Sequence, residues 1–136
     1  MQAWRVREPI MWLCELITGN RKTYGMNLIG GVRRDITAEQ APKILETVGK
    51  IESQLKEIID AIVGDTTLHL RLKNVGVLTQ DVARQLCPVG PTVRGSGIAI
   101  DSRVNHPYAA YSEIPPRVIT QSEGDTWART VVRLLE

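Results

Sequence analysis

The sequence predicts an α+β fold that is predominantly helical, a helix bundle around one long helix. Branched apolar residues recur every three or four positions between Ile44 and Ile62, a spacing that keeps one face of a helix apolar. A Gly/Pro-rich stretch at 88–97, interleaved with Val and Ile, predicts an ordered loop, and short alternating segments add a few strands. With 136 residues, 43% hydrophobic and 24% charged, the chain is expected to form a single domain, 1–136.

The first helix is predicted at roughly 6–17 and a weak strand at 23–29. The apolar stripe of the helix ends at Thr18-Gly19, and the alternation of the strand ends at Gly30-Gly31. Pro9 is tolerated only in a first helical turn, so either the helix starts there or a longer helix kinks there.

The long helix is the strongest prediction. Either Thr37 with Gln40 forms a capping box before it, or Pro42 marks its first turn, and Gly64 ends it. A partner helix is expected to cover all six residues of its seam: Ile44, Val48, Ile51, Leu55, Ile58 and Ile62.

The second half of the chain carries weaker signals. Residues 65–73 fit either a helix or a strand, whereas Thr79 is a good N-cap for a short helix that ends before Pro88. The segments 98–100 and 117–119 predict a pair of short strands. Asp125 predicts the cap of a last helix whose apolar residues are expected to face inward: Val131, Val132, Leu134 and Leu135.

Composition limits the functional classes. No apolar run reaches the ~18–20 residues of a membrane-spanning helix, and no secretory signal follows Met1. The net charge of +2 is too small to indicate nucleic acid, so no such partner is expected. Cys14 and Cys87, two isolated cysteines, indicate a reducing compartment and are expected to be small buried hydrophobes.

The chemistry-bearing residues fit local roles as well as functional ones. Arg94 either reaches a carboxylate or a partner's backbone, or it satisfies loop carbonyls; Asp101 and Arg103 favour a local ion pair or turn brace over catalysis. His106 is a lone histidine before a proline, which disfavours a metal ligand. The basic pair Arg33-Arg34 fits either a solvated loop or a contact with another protein.

Four motifs occur in order along the chain. Residues 7–19 read R-E-x-I-x-x-L-x-E-x-x-T-G, and residues 30–32 read G-G-V. Residues 90–111 read G-P-x-x-R-G-S-G-I-x-x-D-x-R-x-x-x-P-Y-x-x-Y, and residues 124–133 read G-D-x-x-A-R-x-x-V-R. Together they resemble the large, catalytic subunit of energy-converting nickel–iron hydrogenases, which include formate hydrogenlyase, and its homologue, the 49-kDa subunit of respiratory complex I.

The resemblance implies an internal segment of a larger subunit. Such hydrogenases hold nickel and iron with two Cys-x-x-Cys pairs, and this sequence has only Cys14 and Cys87, widely separated. A nickel–iron centre is therefore expected in the full-length subunit. The segment itself is expected to supply no catalytic, cofactor-binding or metal residue and to be inactive alone.

The function implied is that of a scaffold and partner-contact segment. The whole enzyme would oxidise H₂ or reduce protons and exchange electrons with an iron–sulfur small subunit, on the cytoplasmic side of a membrane arm. A contact loop is expected to face that partner, with a secondary contact at Arg33 and Arg34, and the isolated segment is expected to self-associate. The residues of this loop are Arg94, Gly95, Ser96, Asp101, Arg103, His106 and Tyr108.

Two alternatives stay open. The first is a segment of a complex I 49-kDa-type subunit of NADH:quinone oxidoreductase, and the second is a non-enzymatic helical interaction domain. Residues 125–129, D-T-W-A-R, favour the hydrogenase branch, because the complex I pattern there more often reads D-x-Y-D-R.

Overall fold

A computed structural model describes residues 2–136 of the chain. Its internal contacts divide it into two compact units, one ending at Gly64 and the other comprising Asp65–Glu136, and each is described by itself. Helices predominate over a single two-stranded sheet, as the sequence predicts. None of the helices within residues 2–136 is both long enough and apolar enough to cross a membrane. The expectation of one domain over 1–136 stays a prediction.

The first unit begins with α1, Gln2–Thr18, a longer helix that contains Pro9. Proline lacks the N–H that would reach the carbonyl one turn back, so α1 tolerates a missing hydrogen bond inside the helix. At its end the Thr18 hydroxyl donates to the Cys14 carbonyl over 2.8 Å. Gly19 then takes φ +81°, and its N–H donates to Glu15 O, which terminates the helix.

A small hairpin follows α1. Strands β1, Asn27–Leu28, and β2, Gly31–Val32, pair antiparallel with Asn27 opposite Val32. Gly30 and Gly31 both take positive φ, which a side chain would disfavour, and so allow the turn. Of the strand predicted at 23–29, only residues 27–28 form a strand. They pair with β2, which contains Gly31, one of the two glycines expected to end the strand.

The long helix α2 spans Ala41–Gly64. Half of the predicted capping box is present: the Thr37 N–H donates to Gln40 Oε1 over 3.1 Å, and Pro42 lies in the first turn. Pro42 therefore marks the first turn, and only the Gln40 side-chain half of the capping box forms.

The seam of α2 is narrower than predicted. Ile51 is buried and Ile44 and Ile58 pack beside it, but Val48 is 48% exposed and Leu55 is 38% exposed. The three residues that pack in this core are seven positions apart along α2, and Ile62 at the end of the seam is half-buried. Opposite them lie Val6, Leu13 and Leu16 of α1, of which the first two are also seven apart.

The second unit begins with two short capped helices. Helix α3, Thr66–Leu72, resolves the ambiguity of 65–73 in favour of helix, because the Asp65 carboxylate accepts from the N–H groups of Thr67 and Leu68. Helix α4, Gln80–Leu86, begins after Thr79, whose hydroxyl accepts from Val82 N–H as predicted. It ends at Cys87 with φ 49°; Cys87 is exposed, so the expectation of a buried thiol is wrong there.

The predicted strands at 98–100 and 117–119 do not form. Helices α5, Pro91–Arg94, and α6, Ser102–Asn105, flank the first segment instead. The backbone near 94–95 pairs with 121–124: Gln121 N–H donates to Arg94 O, and Gly124 N–H donates to Gly95 O over 2.8 Å. The segment after Pro115-Pro116 therefore reaches α5 rather than residues 98–100.

The last helix, α7, spans Thr126–Leu135 behind its predicted cap. The Asp125 carboxylate accepts from Ala128 N–H over 2.7 Å and from Asn74 N–H over 2.8 Å. Ala128 and Val132 are buried. Leu135 is 52% exposed, so the prediction that it faces inward is wrong. A second core lies beside α4 and α5: Leu78, Ala83, Val93 and Ile98.

Candidate functional site

A cavity of about 490 Å³ in the second unit is the candidate site. Four of its lining residues belong to the predicted contact loop: Arg94, Asp101, Arg103 and Tyr108. The others come from the loop before α5, the start of α6 and the residue that follows α7: Val89, Gly90, Ile100, Ser102 and Glu136.

Helix α5 positions Arg94 at the floor of this cavity. Gly90 takes φ 67° and ψ −146°, a conformation that side chains disfavour, and Pro91 follows in the first turn, where its missing N–H costs nothing. One turn later Arg94 points inward and is only 4% exposed.

The Arg94 guanidinium lies between two carboxylates and a carbonyl. Its Nη1 donates to Ile100 O over 3.2 Å and lies 3.4 Å from Asp101 Oδ2, while Nη2 donates to the Glu136 carboxylate. Its Nε is buried without a hydrogen-bond partner among residues 2–136. Both local roles read from the sequence, carboxylate pairing and satisfaction of a loop carbonyl, are therefore present at once.

Asp101 links the two arginines. Its carboxylate accepts from Arg103 Nε over 3.0 Å and from Nη2 over 2.6 Å, and it also caps α6 through Arg103 N–H. The side-chain hydrogen bond from Arg103 lowers the pKa of Asp101 from 3.8 to about 2, although burial opposes this shift. The same pairing raises the pKa of Arg103. The expected local ion pair is confirmed.

Gly95 and Ser96 of the R-G-S-G segment pack inside the unit. At Gly95 a Cβ would lie 2.8 Å from Arg129 Cγ, so the glycine allows α5 to approach α7. Ser96 is 1% exposed, and its hydroxyl donates to Leu78 O over 2.7 Å. Gly124 approaches the same carbonyl so closely that a Cβ there would lie 2.3 Å from it.

The exposed part of the predicted contact loop is its far end. His106 and Tyr108 are exposed, and the Tyr108 ring packs edge-on against Tyr111 with centroids 5.1 Å apart. The structure thus brings Arg94, Asp101, Arg103 and Tyr108 to one cavity. It does not place His106 there, and Arg33 and Arg34 belong to the other unit.

Sequence reasoning missed Glu136 and Arg129. Glu136 lies 42 residues beyond Arg94, and no local pattern signals a pairing at that separation. Arg129 was visible as the arginine of the G-D-x-x-A-R motif. It donates to Gly124 O and Gly76 O over 2.7 and 3.0 Å, so it ties the start of α7 to the loop before α4.

The residues present do not fit a nickel–iron centre. Within 2–136, no three His, Cys, Asp or Glu side chains are grouped so that they could hold a metal ion. Cys14, half-buried in α1, and Cys87, exposed at the end of α4, are both free and belong to different units. A nickel–iron centre needs several converging thiolates, which these two cysteines alone do not supply.

Comparison with known proteins gives the family. Residues 1–136 match the family described as the respiratory-chain NADH dehydrogenase 49 Kd subunit. Formate hydrogenlyase subunit 5 of Escherichia coli is 37% identical over 136 residues, 100% of this chain and 24% of that protein. An NADH-quinone oxidoreductase subunit of Desulfotalea psychrophila is 36% identical over 136 residues, 100% of this chain and 37% of that protein.

The fold is shared as well. A chain in the structure of the membrane-bound sulfane sulfur reductase, an archaeal respiratory membrane complex, superposes with a TM-score of 0.88 at 32% identity, over 98% of this chain and 36% of that one. The chain thus spans 24% to 37% of the length of these proteins. It belongs to the family of the 49-kDa subunit of respiratory-chain NADH dehydrogenase, which its hydrogenase relatives share.

Proposed function

We propose that this chain is the scaffold and partner-contact segment of a nickel–iron-hydrogenase-type large subunit. The observation that carries the proposal is the direction of the R-G-S-G segment: Arg94, Gly95 and Ser96 are buried and bonded within their own unit. Arg94 forms the cavity floor, Tyr108 lines the cavity and is exposed, and His106 is exposed at the end of α6 outside the cavity. An exposed tyrosine beside such a cavity suits contact with another protein, because aromatic residues are enriched in protein–protein interfaces.

The whole subunit would then carry the chemistry. Nickel and iron, held by a part of the subunit other than this segment, would convert H₂ into two protons and two electrons, or the reverse. An iron–sulfur small subunit would take up or supply the electrons. Residues of this segment would hold the surrounding helices in place and contribute no ligand.

The names of the relatives support assembly with other subunits. One is a subunit of formate hydrogenlyase and another is the alpha subunit of a membrane-bound hydrogenase of Pyrococcus furiosus, 36% identical over 140 residues. We propose that the complete protein lies on the cytoplasmic side of a membrane and is attached through partner subunits.

The complex I branch is the second candidate. The NADH-quinone oxidoreductase relative is 36% identical, against 37% for the formate hydrogenlyase relative, so identity does not separate the branches. The D-T-W-A-R sequence of residues 125–129 favours the hydrogenase branch. A helical domain that only binds partners is the third candidate.

The decisive experiment uses the native complex that contains this chain. Elemental analysis should find stoichiometric nickel, and the complex should reduce an artificial dye with H₂. Quinone reduction by a complex without nickel would contradict the hydrogenase proposal and favour the complex I branch. A complex with neither activity nor nickel would leave only the interaction domain.

The contact role has its own test. Replacing Tyr108 with Ala should weaken co-purification of the small subunit, whereas replacing Leu70, an 81% exposed residue of α3 outside the cavity, should not. Equal co-purification of both variants would reduce Tyr108 to ordinary surface.

A further inference from the structure

The segment 20–36 of the first unit, here called the basic hairpin, combines charge with exposed apolar side chains. It contains β1, β2 and the loops on either side. Four of its residues are basic (Arg21, Lys22, Arg33 and Arg34) and one is acidic, Asp35, so its net charge is +3. The whole chain carries only +2. The positive charge of this protein is therefore concentrated in one short element.

All four cations are exposed, and two of them, Arg21 and Arg34, contact α1 or the glycine that ends it. Arg21 Nη2 lies 2.6 Å from Glu8 Oε1, which raises the pKa of Arg21, and the Arg34 guanidinium packs against Gly19 at the end of α1. Lys22 lies over the Tyr24 ring, 5.7 Å from its centroid. Arg33 is exposed, and its side chain has no polar partner among residues 2–136.

Exposed apolar side chains accompany these charges. Ile29, at the turn, is fully exposed, and Tyr24 is 76% exposed. Leu28 and Val32, one on each strand, are 52% and 60% exposed. Scattered single apolar residues are ordinary on a surface, but a cluster rimmed by cations marks a contact site.

We propose that the basic hairpin docks into an acidic surface of a partner subunit, with Ile29 and Tyr24 in an apolar recess and Arg33 and Lys22 against Asp or Glu side chains. The planar guanidinium of Arg33 suits bidentate pairing with a carboxylate. This inference rests on the proposed function only in requiring a multisubunit complex.

The strand edges suit a protein partner. The sheet has only β1 and β2, so each strand has an outer edge that no other strand of the described chain pairs with. A bilayer interior offers no hydrogen bonds to such backbone groups, whereas a protein partner or interfacial water does. An anionic membrane is therefore the competing outcome of the test.

The test reverses the charges of Lys22 and Arg33 in the full-length subunit within its native complex. The double variant Lys22→Glu, Arg33→Glu should bind its partner subunits at least about tenfold more weakly at low salt, and the defect should shrink as salt rises. The matched control, Arg71→Glu with Arg84→Glu, makes the same charge change on exposed residues of the second unit and should bind like wild type. Thermal melting of each purified variant verifies folding.

Two further measurements decide the partner. A photo-crosslinking residue at position 29 should capture an acidic peptide of another subunit, and the wild-type protein alone should not float with phosphatidylglycerol vesicles. Wild-type assembly of the double variant, or a crosslink only within the same polypeptide, overturns the proposal. Vesicle binding that the double variant abolishes replaces it with a lipid surface. If the docking proposal is contradicted while the complex still holds nickel and turns over H₂, the proposed function is unaffected.

Discussion

Arg94 and Asp101 form an ion pair in which the two side chains are 5% and 4% exposed, with Nη1 3.4 Å from Oδ2. Glu136 and Arg103 complete it, so two cations face two anions at the end of the cavity. Buried charges are costly to desolvate, and each is stabilised here only while its partners remain. Removing either charged side chain of this pair is therefore expected to destabilise the cavity floor.

Replacing Arg94 with Ala is expected to destabilise the chain by about 1–3 kcal/mol, because the Ile100 carbonyl loses its donor while Arg103 still pairs with Asp101. Lysine at position 94 should recover part of this loss, since it restores charge without the two-pronged geometry. Urea unfolding measures both, with Arg84→Ala, an exposed arginine of α4, as control. A loss no larger than that of the control would mean that the network does not stabilise the fold.

Acid should weaken the fold through Asp101. Its folded pKa of about 2 lies below the ordinary 3.8, chiefly because Arg103 donates to it, so its contribution is complete above about pH 4 and is lost as pH falls through about 2. Unfolding free energy should fall more steeply over that window in wild type than in Asp101→Asn. Because other carboxyl groups titrate there too, the difference between the two curves is the measurement. Parallel curves would contradict the assigned pKa.

The sequence correctly predicted the features that depend on residues close together along the chain. Thr79 and Asp125 cap the helices predicted for them, because a cap depends on N–H groups two or three residues away. Asp101 and Arg103, two residues apart, form the predicted pair.

Longer-range relations escaped prediction for a physical reason. The segment 98–100 has strand composition, but the backbone beside it is already paired with 121–124, a choice set by Gly95 and Gly124 approaching their neighbours. The pairing of Arg94 with Glu136 depends on α5 packing against α7, which no periodicity reveals.

Gly124→Ala should be far more damaging than Gly97→Ala. Both glycines take positive φ, +66° and +79°, so both variants carry a similar backbone cost of about 1–2 kcal/mol. At Gly124 the new Cβ would also meet the Leu78 carbonyl oxygen at 2.3 Å, whereas at Gly97 it would meet Gln80 Nε2, the movable end of a side chain. We expect a loss above ~4 kcal/mol for Gly124→Ala in thermal unfolding. Equal losses would show that the close approach relaxes freely.

The two helices of the first unit provide the last prediction. Ile51 is 8% exposed between Val6 and Leu13 of α1, so Ile51→Ala should cost ~2–5 kcal/mol through lost burial and the space left behind. Leu55, one turn further along α2, is 38% exposed and should cost only about 1–2 kcal/mol when changed to Ala. Urea unfolding of the two variants, identical in helix propensity at the new residue, compares the faces directly. Similar large losses at both positions would restore the full seam that the sequence predicts, and similar small ones would mean that α1 does not cover α2.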